Sequence, residues 1–196
     1  MKHWEILSSE LEDEFIVHSV RAVDILQAYG QGERNFQRSK LRGADLIEVK
    51  LPGINLNQAS LTHSKIIRSD LRQSILTEAQ LVETYLWRSN FSYASLICAN
   101  LSRSMAVRCN FSHADLHRAM LAQADLRLAN FKGADLSRAN LGKADLRYAD
   151  LRGANLAEAD LSQADLTGAD LTGADLFRAR MVRTILPSMR IQPQFI

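Results

Sequence analysis

The 196-residue chain has few of the residues that build disulfide-rich or membrane-spanning proteins. It contains only two cysteines, three prolines and two tryptophans. Cys98 and Cys109 are too few for a disulfide framework and fall at different positions of the repeat described below, so we expect reduced thiols. No run approaches the roughly 18 uninterrupted apolar residues of a transmembrane helix, and the acidic N-terminus lacks the apolar core of a secretory signal. We therefore predict a cytoplasmic protein without membrane association.

Patterns typical of catalysis or metal binding are also missing. His63, His113 and His117 occupy outward positions of the repeat described below, and His113 and His117, four residues apart, straddle a corner of the coil that it predicts, so we interpret them as surface histidines. The glycines, such as Gly133 and Gly153, do not form a phosphate-cradling loop, and the recurrent aspartates follow a repeat spacing that indicates a role in turns. We predict no enzymatic activity, no small-molecule substrate, no cofactor and no metal site.

The net charge of +2 is unevenly distributed. Residues 1–35 carry three basic and seven acidic side chains, a net charge of −4, whereas residues 36–196 carry 21 basic and 15 acidic side chains, a net charge of +6. A mildly basic body argues against an acidic mimic of DNA. Because only about three arginines line up beside aromatic residues, we do not expect nucleic acid as a partner either.

A five-residue repeat dominates the chain. From Phe36 to Leu186 every fifth residue is a repeat centre, giving 31 centres without an insertion, of which 24 are Leu. The residue two positions earlier is usually small, and the residue just before the centre is often Asp or Asn, which cap tight turns. On a helix, residues five positions apart are rotated by about 500° and so point in different directions. On a strand, an odd number of positions places the two side chains on opposite faces. All centres can point inward only if each pentad turns a corner, which predicts a solenoid.

This tandem A(D/N)LXX pattern over residues 36–186 resembles the pentapeptide-repeat family. The lead-in "DILQAYGQGERNFQRSKL" is similar to the segment that precedes the repeats in cyanobacterial members. The resemblance implies an all-β solenoid, a right-handed quadrilateral β-helix of about eight coils with Leu, Phe and Ala inside. The 20-residue spacing of Phe91, Phe111 and Phe131 supports four pentads per coil independently of that resemblance.

The ends of such a solenoid need covers because open coil ends are exposed β edges. We predict that residues 1–35 form a partly helical N-terminal cap, in which Ser9 and Glu12 form a capping box and "YGQG" ends the helix. The solenoid is predicted to span 36–186. The C-terminal tail, 187–196, either folds over the last coil or pairs two molecules as a homodimer.

Residues 20 apart should stack, so the outward positions can be compared as columns. One face combines apolar, aromatic and basic residues, which we name the Trp87 strip: Ile47, Ile67, Tyr85, Trp87, Val107, Arg68, Arg88 and Arg108. Trp, Tyr and Arg are enriched among binding hot spots. The strip is either a protein contact site or a ladder of residues that stabilises the sheet.

Ala106 is an exception on this face, since it stands where a core Leu is expected. A hole in a rigid core would cost about 2–5 kcal/mol. Either neighbouring side chains fill the space, or the pentad distorts and turns Met105 or Val107 inward. The second arrangement would shorten the strip.

The sequence favours a non-enzymatic scaffold or adaptor that binds another protein, of unspecified identity, through a flat face of the solenoid. For cyanobacterial relatives, the resemblance suggests a regulatory role. One alternative is a DNA-mimicking, topoisomerase-interacting protein, a role of other family members that would require a strongly acidic rod. A purely structural protein is the other alternative.

Overall fold

The computed structural model describes residues 22–187. One helix, α1, spans Ala22–Gly30, and the chain that follows forms turns joined by single parallel β-bridges instead of longer strands. Every bridge joins residues 20 apart, from Asn35 with Asn55 to Asp165 with Ile185. Twenty residues are four pentads, so the solenoid is a four-sided β-helix, with seven complete coils and part of an eighth between 36 and 187.

Each pentad turns its corner through a left-handed residue two positions after the centre. From Arg38 to Arg183, all of these residues have φ between 52° and 72°. The next N–H usually closes the turn on the carbonyl of the centre, as Ala44 does on Leu41 at 3.0 Å. Most of these residues are not glycine, although the left-handed region favours glycine. Bonds between coils hold them there, as where the N–H of Arg38 donates to the Asn57 carbonyl at 2.8 Å.

The repeat centres and the small residues two positions before them fill the interior. Phe91, Phe111 and Phe131 are fully buried and stack one above another, with ring centroids 5.4 and 5.1 Å apart. The predicted 20-residue column of phenylalanines is therefore confirmed. Cys109 is buried at a position that alanine occupies in most neighbouring pentads, as its register predicts.

The Asp and Asn residues before the centres cap the turns, as the sequence predicts. Their side-chain oxygen accepts the backbone N–H two residues later, which is the geometry of an Asx turn. Asn90 accepts in this way from Ser92 at 3.0 Å, and Asp135 accepts from Ser137 at 2.9 Å. The regular spacing of the carboxylates thus follows from the turns.

Helix α1 ends at Gly30, inside the stretch predicted to end it. Ile25 is buried in the same cluster as the solenoid core, and the Tyr29 hydroxyl donates to the Pro52 carbonyl at 2.7 Å. The predicted capping box of Ser9 and Glu12, and all of the tail beyond 187, lie outside the described residues. Between 22 and 187, no helix has the length and apolar character needed to cross a membrane.

The Ala106 pentad keeps the register of the repeat. Ala106 is fully buried and its N–H donates to the Asp125 carbonyl at 2.8 Å, as in regular pentads. Met105 remains 42% exposed and Val107 remains half-buried on the outer surface. The alternative in which one of them turns inward is therefore wrong, and the Trp87 strip keeps its full length.

Candidate functional site

All eight residues of the Trp87 strip lie on one side of the solenoid and its adjoining corner. We call this side the Trp face; its pentads are centred on Leu46, Ile66, Leu86, Ala106, Leu126, Leu146 and Leu166. Trp87 is 50% exposed, Tyr85 and Ile47 are exposed, and Ile67 and Val107 are half-buried. The three arginines are exposed along the corner. The structure thus brings together every residue that the sequence assigned to the strip.

Backbone hydrogen bonds between coils fix the order of the strip. The N–H of Arg68 donates to the Trp87 carbonyl at 2.8 Å, and the N–H of Arg88 donates to the Val107 carbonyl at 3.1 Å. Tyr85 forms a parallel bridge with the residue 20 positions before it and with the residue 20 positions after it. At a strand spacing of about 4.8 Å, the column from Ile47 to Val107 is roughly 14 Å long.

The strip has an Asx cap only at its first pentad, where Asp45 accepts from the N–H of Ile47 at 3.3 Å. Lys65, Tyr85 and Met105 stand where Asp or Asn elsewhere accepts a backbone N–H. Further along the same face the cap is present, since Asp125 accepts from the N–H of Arg127 at 3.3 Å. An Asx turn stabilises its own corner. Three successive pentads of the Trp face therefore carry long or apolar side chains in place of a stabilising cap.

Serine side chains shape the corner beneath the arginines. The Ser89 hydroxyl donates to the Ile66 carbonyl at 2.6 Å and accepts the Ser69 N–H at 3.0 Å. Ser69 makes the equivalent bonds to Leu46 and Val49, at 2.6 and 3.2 Å. Most turns close by a direct bond between a backbone N–H and the carbonyl of the repeat centre. In the turns 46–49 and 66–69, a serine hydroxyl of the next coil bridges these two groups instead. The sequence does not reveal this role, because its pattern marks these serines only as small residues.

The far half of the Trp face is covered by its own ion pairs. Arg127 pairs with Asp125 at 2.6 Å, and Arg147 pairs with Asp145 at 2.7 Å. Burial opposes ionisation of Asp145, but the hydrogen bonds and charge of Arg147 outweigh it and hold its pKa below the usual value. This half therefore presents neutralised charges to solvent.

In the near half, which contains the strip, two of the three arginines have no ion-pair partner among residues 22–187. Arg68 pairs with Glu48 at 3.0 Å, and both side chains are well exposed. Arg88 and Arg108 form no ion pair with any residue in the range 22–187. Both guanidinium groups are exposed on the same side of the solenoid as the ring of Trp87.

Two further exposed residues continue the arginine column, and the sequence analysis missed them. Leu128 and Tyr148 follow Arg108 at 20-residue intervals, and Tyr148 is 62% exposed. A Cβ at Gly168 would lie 2.6 Å from the Tyr148 ring, so this ring lies over a glycine in the next coil. The 20-residue spacing was the signal that could have identified both residues.

Outside the strip, the histidines make ordinary surface contacts. His113 stacks on Tyr93 with ring centroids 5.1 Å apart, and Nδ1 of His117 lies 2.8 Å from the Ser137 hydroxyl. Within 22–187, no three His, Cys, Asp or Glu side chains are placed to hold a metal ion. The Trp87 strip is therefore the surface on which we base a function.

Two cyanobacterial proteins are similar to this chain in sequence. One is HetL, a pentapeptide repeat protein involved in heterocyst differentiation regulation from the cyanobacterium Nostoc sp. strain PCC 7120. Its sequence is 30% identical to that of this chain. The alignment covers 86% of this chain and 98% of HetL, and the TM-score is 0.41. The pentapeptide repeat protein alr5209 from Nostoc PCC 7120 is 39% identical, covering 51% of this chain and 75% of its own, with a TM-score of 0.41.

A more distant structure matches the solenoid better in shape. A trypsin-treated form of QnrB1, a plasmid-mediated fluoroquinolone resistance protein, has a TM-score of 0.61 at 15% identity, covering 79% of this chain and 83% of its own. At that identity the likeness shows the fold alone. No curated protein matches the chain.

The sequence profile of pentapeptide repeats matches most of the chain. It aligns with eight copies over residues 39–78, 76–104, 109–147 and 144–183. These proteins form right-handed quadrilateral β-helices and generally serve as repeat scaffolds. The matched residues are those that turn the corners and fill the core of this structure, and the chain therefore belongs to the pentapeptide repeat family.

Proposed function

We propose that this protein is a non-enzymatic scaffold that binds another protein through the Trp87 strip. One observation carries the proposal: the half-exposed ring of Trp87 lies in a column of outward apolar residues beside Arg88 and Arg108, which form no ion pair within 22–187. Contiguous apolar surface with Trp, Tyr and Arg is typical of binding sites.

The alternative is that the strip only stabilises the sheet. Cross-strand pairs of β-branched and aromatic residues contribute roughly 0.2–1 kcal/mol each. One feature favours binding over this alternative. Half of the Trp87 side chain remains in solvent, where it gains little from its neighbours.

The chemistry of the strip indicates what kind of surface it would bind. An indole ring between apolar neighbours offers area for burial, and an arginine guanidinium binds a carboxylate through two parallel hydrogen bonds. A fitting partner surface would therefore combine apolar side chains with carboxylates. We propose a regulatory role for this contact, supported by the 30% identity with HetL.

A topoisomerase-directed role gains no comparable support. The similarity to QnrB1 concerns the fold, and residues 36–196 have a net charge of +6, opposite to that of an acidic DNA mimic. We also infer that helix α1 covers the first coil, because Ile25 is buried in the same cluster as Phe36.

Affinity capture from a lysate of the source organism tests the function. Three versions of the full chain are compared: the natural protein, Trp87→Glu and Tyr93→Glu. Tyr93 is a matched control, since it is an exposed aromatic residue at a different corner. We expect Trp87→Glu to lose a captured protein that the other two retain, and that protein to bind the natural chain after purification. Identical captured sets from all three versions would overturn the proposal.

A further inference from the structure

The chain itself contains a segment whose chemistry complements the Trp87 strip. We propose that residues 1–21 bind the strip of the same molecule and so compete with an external partner. The regulatory meaning of this contact rests on the proposed function, but the contact itself does not. Its chemistry is that of an acidic, apolar peptide meeting a basic, apolar face.

Charge complementarity is the first argument for this pairing. Residues 1–21 carry two basic and five acidic side chains, a net charge of −3, and four of the acids lie between Glu10 and Glu14. The strip covers residues 45–48, 65–68, 85–88 and 105–108, which carry four basic side chains and two acidic ones, Asp45 and Glu48, a net charge of +2. Opposite charges of this density attract across a Debye length of about 8–10 Å at physiological salt.

The positive charge is also available. Arg88 and Arg108 make no ion pair with residues 22–187, and Lys65 is exposed. The remaining arginines of the Trp face, Arg127 and Arg147, are already paired with aspartates of that face. An acidic segment that lies on this face would therefore find its free cations within the strip.

Apolar residues provide the second argument. The acids of residues 1–21 are interspersed with Trp4, Ile6, Leu7, Leu11 and Phe15. The strip offers the exposed side chains of Trp87, Tyr85 and Ile47 to such a segment. Burying apolar area contributes roughly 25 cal/mol per Å², so a few such contacts add to the electrostatic attraction.

The strip lies within reach of the segment. Helix α1 starts at Ala22, and its Tyr29 is bonded to Pro52 in the first coil. The strip begins at Ile47 in that same coil and extends roughly 14 Å along the solenoid. Twenty-one residues span up to about 70 Å when extended. The segment can therefore cover the strip without any change in the described structure.

Carbodiimide crosslinking of the full chain tests the contact directly, since this reagent joins a lysine to a carboxylate that already touches it. We expect Lys65 to couple to a carboxylate within residues 10–14. Lys143, an exposed lysine at the corner that follows Leu141, far along the solenoid from Lys65, should give no such product. A mixture of ¹⁴N- and ¹⁵N-labelled protein identifies the origin of each crosslink. Crosslinks only between molecules, or none from Lys65, would overturn the proposal.

Fluorescence provides a second, solution test. Trp4 and Trp87 are the two tryptophans, so Trp4→Phe leaves Trp87 as the reporter. Against this background, the triple change Glu12→Lys, Asp13→Lys and Glu14→Lys should release the segment. We expect a red shift of the Trp87 emission and stronger acrylamide quenching, with 1 M salt acting in the same direction. Equal spectra and quenching in the two versions would contradict docking.

The two proposals can fail separately. If crosslinks form but capture of a partner does not depend on Trp87, the strip is an internal docking site and the proposed function is wrong. If capture depends on Trp87 while Lys65 gives no intramolecular crosslink, the strip binds a partner and the internal contact is refuted. If the intramolecular crosslink forms and capture depends on Trp87, both proposals hold. The triple lysine variant of Glu12, Asp13 and Glu14 should then bind the purified partner more tightly than the natural chain does.

Discussion

The backbone N–H of Arg68 donates to the carbonyl oxygen of Trp87 at 2.8 Å. This bond belongs to the ladder between coils and places Ile67 beside Trp87 in the next coil. The backbone ladder thus sets the order of the outer side chains of the strip. Removing one of them should leave the fold intact, which separates the stability of this face from its function.

Truncating Trp87 and truncating its buried neighbour should therefore have very different effects. Trp87→Ala should change the free energy of unfolding by about 0.5 kcal/mol or less, as for most surface substitutions. Leu86→Ala should cost about 2–5 kcal/mol, because Leu86 is fully buried. Thermal unfolding followed by circular dichroism measures both. A loss with Trp87→Ala as large as that with Leu86→Ala would identify the strip as structural.

Restoring the missing cap should stabilise the strip while impairing its binding. Tyr85→Asn supplies a side-chain oxygen for the Trp87 N–H, and we expect a gain of about 0.5–1 kcal/mol, the size of a capping bond. Asn90→Ala is the reciprocal control, because it removes the cap on Ser92 and should cost a similar amount. If Tyr85→Asn is neutral or destabilising while Asn90→Ala is destabilising, the strip gives up no cap.

Acid should weaken the fold through its paired carboxylates. Arg72 donates to both oxygens of Asp70 at 2.8 and 2.7 Å, and these bonds hold the pKa of Asp70 below its usual 3.8. Arg152 has the same effect on the pKa of Asp150. The pKa of each of these carboxyls is lower in the folded protein than in the unfolded chain. The ion pairs therefore stabilise the fold at pH values above the unfolded-state pKa, and this stabilisation is lost as the pH falls through the folded-state pKa.

Melting temperatures between pH 7 and pH 2 measure this effect. Arg72→Gln removes the pairing partner of Asp70 and should reduce the loss of stability below about pH 4. Arg38→Gln is the control and should leave the acid dependence unchanged, because Arg38 is bonded to Gln58 and to no carboxylate among residues 22–187. Parallel curves for Arg72→Gln and the natural protein would show that the pair does not contribute.

The two thiols should differ sharply in reactivity. Burial raises the pKa of Cys109 to about 12, whereas Cys98 is half-buried at a corner of the solenoid. Because the thiolate is the reactive form, the folded protein should release one rapid equivalent from a thiol-exchange reagent at pH 8, and the second only after denaturation. Cys98→Ser should abolish the rapid phase. A rapid phase that survives this change would contradict the inward position of Cys109.

The sequence was sufficient to predict the four-sided coil because the constraint is repeated. An inward residue at every fifth position requires a corner in each pentad, and the spacing of Phe91, Phe111 and Phe131 sets four corners per coil. The same register predicted which residues form the strip. These features depend only on which side chains point inward, and the repeat specifies that at each pentad.

Other features depend on contacts that the repeat does not specify. The bond from the Ser89 hydroxyl to the Ile66 carbonyl requires the position of a neighbouring coil, and serine at a small position does not reveal it. Ala106 left two arrangements open because sequence does not show whether the backbone shifts to fill a hole; the structure retains the register. The 20-residue spacing places Tyr148 beside Gly168, but the position of the ring over this glycine was visible only in three dimensions.

Photo-crosslinking from the strip tests the central claim most directly. The full chain is produced with p-benzoylphenylalanine in place of Trp87, or in place of Tyr93 as the control, and is irradiated in a lysate of the source organism. We predict that position 87, and not position 93, couples to one protein, and that this protein is the one lost from capture by Trp87→Glu. No adduct from position 87, or the same adducts from both positions, would contradict a binding role for the Trp87 strip.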